Sequence, residues 1–178
     1  MSYLMVDIES DGPCPHLYSM ISLGAVKVST GESFYGRFRP IGEKWDPEAL
    51  AVSGHTREEV LEFPDPEVEM KRLETWIKEH FEQRAFRGRQ STDCLFISDN
   101  NGFDWQFFNY YCFRFLGCNP LGHSSTNLGS LYKGLVKDVF KNFKHLRKTK
   151  HTHHPVDDAK GNVEALIAMK DMGLRIKL

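Results

Sequence analysis

The chain has 178 residues, 40% of them apolar and 26% charged, with a formal net charge of −1. Such a composition supplies a core and excludes a disordered polar chain; the charge excludes a histone-like polycation but leaves room for a local basic patch that binds nucleic acid. The length fits one domain over residues 1–178.

In chain order, Ser2 to Ile8 reads as a strand that becomes charged at its end. Met20 to Val28 is a second apolar strand, and Ser33 to Arg39 pairs back on it through a turn at Ser29-Thr30-Gly31-Glu32. Asp65-Pro66 starts a helix, Asp as N-cap and Pro at the first position, with Met70, Leu73, Ile77 and Phe81 at helical spacing. Cys94 to Ser98 is a short continuous apolar run, the mark of a strand covered on both faces. Asp104 to Leu116 reads as a helix closed by Gly117, Thr126 to Leu128 as a short strand, Leu131 to Lys144 as a basic helix, and Pro155 to Met172 as a final helix stopped by Gly173. A meander followed by alternating strands and helices predicts an α/β fold, a mixed sheet with helices on both faces. Such sheets place their sites where strands end.

No apolar run approaches the roughly 18–20 residues that cross a bilayer, so no membrane partner is expected. The N-terminus lacks the basic segment and apolar stretch of a secretory signal. Cys14, Cys94, Cys112 and Cys118 form no Cys-x-x-Cys pair and read as reduced thiols, which points to a cytoplasmic protein.

Three short segments carry chemistry. Asp7-Ile8-Glu9 aims two carboxylates to one face of a strand, because residues two apart point the same way. Two carboxylates that close repel unless a cation lies between them. Asp104 follows Asn100-Asn101-Gly102-Phe103 at a strand-to-helix junction. His153 and Asp158 lie on either side of the start of the last helix, in His151-Thr152-His153-His154-Pro155-Val156-Asp157-Asp158. Each segment alone also fits a solvated strand end, a helix-terminal acid or a helix cap. Together they offer four hard oxygen ligands, Asp7, Glu9, Asp104 and Asp158, suited to two Mg²⁺ or Mn²⁺ ions rather than to zinc. Two such ions about 3.5–4 Å apart serve in-line hydrolysis of a phosphodiester, and imidazole is the natural proton acceptor for the water. A zinc site in the histidine cluster is conceivable, but no Cys lies near it and zinc-type spacing is absent.

These motifs resemble those of the DEDDh 3′→5′ exonucleases of the ribonuclease H-like superfamily. Asp7-Ile8-Glu9-Ser10-Asp11-Gly12 matches the first, Asn100-Asn101-Gly102-Phe103-Asp104 the second, and His153 to Asp158 the third, so the likeness spans nearly the whole chain. Pro155 stands where the family usually has Ala, and His154 and Asp157 leave the register of the third motif open. The His-x4-Asp spacing favours His153 with Asp158. The resemblance implies a ribonuclease H-like fold. It makes Asp7, Glu9 and Asp158 ligands of one ion and Asp7 and Asp104 ligands of the other, with His153 as general base. It also implies that Ser10, Asp11 and Gly12 cradle the 3′-terminal nucleotide, although Asp11 stands where a small residue is more usual. Trp45 to Thr56 resembles the wall of that nucleotide site, with Trp45 or His55 available to stack on a base.

The lysines Lys133, Lys137, Lys141 and Lys144 fall near one helical face and lead towards His153, so Lys141 and Lys144 are expected to guide a phosphate backbone. Arg84, Arg87 and Arg89 form a smaller basic loop. The substrate expected is single-stranded RNA or DNA with a free 3′ end, RNA being favoured, and the products nucleoside 5′-monophosphates. An exodeoxyribonuclease of phage or prophage type is the nearest alternative, and a non-catalytic nucleic-acid-binding module on the same fold the rival from another class. A homodimer completing the cleft is expected by analogy alone.

Overall fold

The computed structural model describes residues 2–86 and 89–177. Its centre is a five-stranded sheet in the order β3-β2-β1-β6-β7. Strands β1 (Ser2–Ser10), β2 (Met20–Lys27) and β3 (Ser33–Arg37) form the antiparallel meander; β6 (Cys94–Ser98) and β7 (Ser125–Asn127) then run parallel to β1. β4 (Gln83–Phe86) and β5 (Arg89–Thr92) make a separate hairpin. The helices are α1 (Pro47–Val52), α2 (Arg57–Leu61), α3 (Pro66–His80), α4 (Asn101–Tyr111), α5 (Leu128–Val136) and α6 (Pro155–Asp171). This is the ribonuclease H-like α/β architecture.

Period-two alternation divides β1 between two cores. Leu4, Val6 and Ile8 pack with Met70, Leu73 and Ile77 of α3 and Phe107, Phe108 and Tyr111 of α4. Met5 faces the other way, into Leu128 and Tyr132 of α5 and Ala159, Val163 and Leu166 of α6. Helices therefore cover both faces. Beyond Met5 that second face turns acidic, with Asp7 and then Glu9.

Helix α6 reaches the sheet because β2 carries Gly24, which pairs with Asp7 across the ladder. A Cβ at Gly24 would lie 2.2 Å from the Pro155 carbonyl carbon, so only glycine lets the first turn of α6 settle there. Helix α3 begins as the sequence predicts: the Asp65 carboxylate accepts from Glu67 N and Pro66 occupies the first turn.

The basic helix is shorter than predicted. α5 ends at Val136, and Lys137 adopts a left-handed conformation (φ 56°). The Lys137 and Asp138 amides bond back to the Gly134 and Lys133 carbonyls and close the helix. Residues 138–143 are irregular, and Lys144–Leu146 is one 3₁₀ turn. Lys133, Lys137, Lys141 and Lys144 thus share no helical face. The smaller basic loop is part of the β4–β5 hairpin, where Arg84 pairs with Asp93 at 2.7 Å; Arg87 lies outside the described residues. α4 starts three residues earlier than expected, at Asn101, and continues through a π-helical turn (Cys112–Leu116) to Gly117. No helix among the described residues is long and apolar enough to cross a membrane.

Candidate active site

β1 supplies Asp7 and Glu9 from one face of its last turn of pleat. α6 supplies Asp158 from its first turn, set over that face by the Gly24 contact. The ligand oxygens of Asp7, Glu9 and Asp158 lie within 4.8 Å of one another. Asp104 arrives by a different route. β6 pairs with β1 only as far as Met5, so the Ile8 amide has no strand partner; Asp104 Oδ1 accepts from it at 3.1 Å. Asp104 is 3% exposed and Asp158 1%, and Asp157 instead faces His154 at 3.9 Å.

Packing four carboxylates here has an electrostatic cost. Burial pushes Asp7 well above the usual carboxylate range, and the charges of Asp104, Glu9 and Asp158 push it further. Glu9 rises to about 7, through burial and then Asp158. Asp104 rises to about 8, chiefly through burial, against the Ile8 hydrogen bond. Hard oxygen donors held in mutual repulsion in a desolvated cleft fit divalent cations, which would relieve both the repulsion and the cost of burial. One fixed cation already stands nearby. Arg147, 6% exposed along its side chain, pairs with Asp99 at 2.8 Å and donates to the side-chain Oδ1 of Asn162 on α6; it opposes the rise at Asp7.

The histidine segment is a loop fastened to α6. Asp158 accepts from Thr152 N at 3.1 Å and His153 N at 3.0 Å. Glu164, one to two turns on, accepts from Lys148 N, Thr149 N and Thr149 Oγ1. His153 takes a left-handed backbone (φ 59°), which turns its half-exposed ring to within 3.8 Å of Glu9 Oε1. His154 leaves the cluster and packs against Tyr35, the rings tilted by 35° with centroids 4.7 Å apart. His151, absent from the predicted set, bonds Asp158 Oδ2 at 2.9 Å, and its ring meets that of His153 at 4.2 Å.

The remaining predicted residues separate. Ser10 is buried and donates to the Gly12 carbonyl at 2.6 Å, forming the turn after β1. Gly12 is packed under Tyr18, where a Cβ would clash with the ring at 2.0 Å. Asp11 does not face the cleft. Its carboxylate is fully buried, accepting from Ser19 N and from Arg57 Nη1 at 3.1 Å, so the residue in the place of a small one is an internal tie. Arg57, which no motif marks, also lies over the exposed Trp45 ring at 5.6 Å. His55 packs edge-on against Phe63 and approaches Glu59 rather than standing free. Lys141 approaches Asp138 at 3.9 Å; Lys144 is exposed.

Over 135 residues the chain is 33% identical to the 3′–5′ DNA exonuclease Cap18 of Escherichia coli, covering 75% of this chain and 68% of that one. It belongs to the DEDDh 3′→5′ exonuclease family. Solved exonuclease structures share the fold of this family member at lower identity. The nuclease domain of 3′hExo, a DEDDh member bound to rAMP, superposes with a TM-score of 0.66 at 16% identity, over 99% of this chain and 96% of that one. The zinc-bound E. coli ExoI–ssDNA complex gives 0.71 at 15% identity, over 98% of this chain and 41% of the longer protein. No protein-family model matches the chain.

Proposed function

We propose that the protein is a metal-dependent 3′→5′ exonuclease of single-stranded DNA that releases nucleoside 5′-monophosphates. The observation that carries the reading is the convergence of four carboxylates from β1, α4 and α6 with the His153 ring at their rim. Asp7, Glu9 and Asp158 would hold one divalent ion and Asp7 with Asp104 a second, and the pair would supply charge stabilisation and an acidified water. His153 takes the proton of the attacking water, a task suited to imidazole. The water oxygen bonds to phosphorus, the bond to the 3′-oxygen of the preceding nucleotide breaks, and the terminal nucleotide leaves. The Ser10–Gly12 turn closes the cleft beyond that nucleotide. Trp45 offers its exposed face to the terminal base, worth roughly 1–3 kcal/mol in stacking. It is held beside β1 by the Asp46 N to Asp11 O bond (2.8 Å) and by Arg57.

The choice of DNA follows the curated relative, whose name specifies DNA. RNA is the second reading, favoured by the rAMP bound to the 3′hExo nuclease domain, a likeness of fold alone. The test is a time course on 5′-labelled single-stranded DNA and RNA of equal sequence, with Mn²⁺ or EDTA. A ladder shortening from the 3′ end of DNA, only with metal, is expected. Faster shortening of RNA would reverse the sugar assignment, and no cleavage of either by folded protein would sink the reading.

A further inference from the structure

The histidine segment holds more than a general base. The ligand atoms of His151, His153 and Asp158 lie within 4.8 Å of one another, a second potential metal cluster beside the four carboxylates. Tetrahedral zinc, with bonds of about 2.0–2.1 Å, sets its ligands about 3.4 Å apart. His151 Nδ1 lies 2.9 Å from Asp158 Oδ2, and all three ligand atoms lie within 4.8 Å, so side-chain rotation is what separates them from that spacing. Both imidazoles are about half exposed, 45% and 47%, so an ion has a way in and a fourth position stays open to water. The carboxylate is fixed by two backbone amides and needs no ordering. The donor chemistry also differs. Two imidazoles and one carboxylate favour a borderline ion such as Zn²⁺, whereas Mg²⁺ prefers the all-oxygen set.

We infer that His151, His153 and Asp158 form a zinc site that overlaps the carboxylate site and silences it. Asp158 belongs to both sets, and a zinc-bound His153 has lost the lone pair that accepts a proton. The silencing rests on the exonuclease reading; the binding does not.

Zinc affinity is measured by competition with a chromophoric chelator in the wild-type protein, His151→Gln, His153→Gln and Asp104→Asn, each checked for folding by circular dichroism. One high-affinity zinc is expected in the wild type and in Asp104→Asn, with affinity falling at least tenfold in both histidine variants. Unchanged affinity in the histidine variants, or its loss in Asp104→Asn, would place zinc among the carboxylates and overturn the site. In Mn²⁺ buffer, the zinc concentration that halves the rate should rise tenfold or more in His151→Gln, relative to that variant's own zinc-free rate. An unchanged half-inhibitory concentration would overturn the silencing. Zinc binding in the expected pattern by a protein that cleaves nothing would leave the site standing and remove the exonuclease reading instead.

Discussion

The two halves of the site are built in opposite ways. Asp7, Glu9 and Asp104 stand on a central strand and a packed helix, and their places follow from pleat and pairing. His151 and His153 stand on a loop whose shape depends on Asp158 and Glu164 accepting its amides. The acid half is buried and electrostatically strained; the histidine half is a half-exposed loop held by hydrogen bonds to two acids of α6. Binding of hard ions needs fixed, crowded oxygens, while proton transfer needs a ring that can move and meet water.

Breaking the acid half should have the largest effect. Asp104→Asn removes a charge and keeps the shape, so hydrolysis should fall by roughly a thousandfold or more, as when a group acting on the transition state is lost. The same variant should melt a few degrees higher than wild type at pH 8 without metal, because a repelling buried charge is gone. Activity retained within tenfold would show that Asp104 is not part of the site.

Loosening the histidine half should cost less. Glu164→Ala frees Lys148 N, Thr149 N and Thr149 Oγ1, and the loop carrying His151 and His153 loses its distal anchor. Turnover should drop roughly 10–100-fold, the usual effect of an outer support, with metal-induced stabilisation largely kept. Equal loss of both would mean that the halves are not separable.

The strain also predicts a pH dependence. Glu9 at about 7 and Asp104 at about 8 bind protons more tightly folded than unfolded. Between the ordinary carboxylate range and pH about 8, the unfolded chain has released protons that the native protein retains, so metal-free stability should fall as pH rises through that window. Mg²⁺ or Mn²⁺ must displace those protons, so ion-induced stabilisation should grow over the same range. Thermal melts with EDTA and with Mn²⁺ from pH 5 to 8.5 would check both; a flat metal-free curve would contradict the strain. The smallest effect belongs to the lysines. Lys144→Ala should raise KM about two- to threefold and lower the salt slope by about one, with kcat unchanged.

The contrast also separates what could be read from the sequence. The meander, β6, the capped start of α3 and the first turn of α6 follow from apolar periodicity and Asp-Pro or Pro signals, and the common face of Asp7 and Glu9 follows from strand geometry. α1 and α2 carried the same kind of signal. Asp46 caps Pro47–Val52 much as Asp65 caps α3, and Thr56 with Glu59 forms a capping box, but helices of six and five residues leave no apolar periodicity to mark them. The end of α5 was not legible. Its left-handed cap falls on Lys137, where glycine would have announced it, and Lys continues a helix well in any propensity scale. Asp11 was misplaced for another reason. Its partners are Ser19, from the loop before β2, and Arg57, from the start of α2, and only the folded chain brings them to it. His151 belongs to the same class, since nothing in its spacing marks it as a partner of Asp158.

The Gly24–Pro155 contact governs when a site can exist at all. Asp7 and Glu9 stand on β1, whereas Asp158 belongs to a helix distant in sequence and takes its place only when α6 lies down across β2. Until that docking the first two carboxylates have no third partner. The contact therefore works as a keystone: any change that lifts α6 off β2, such as a side chain at Gly24, takes a ligand away from the site without touching one of the four acids.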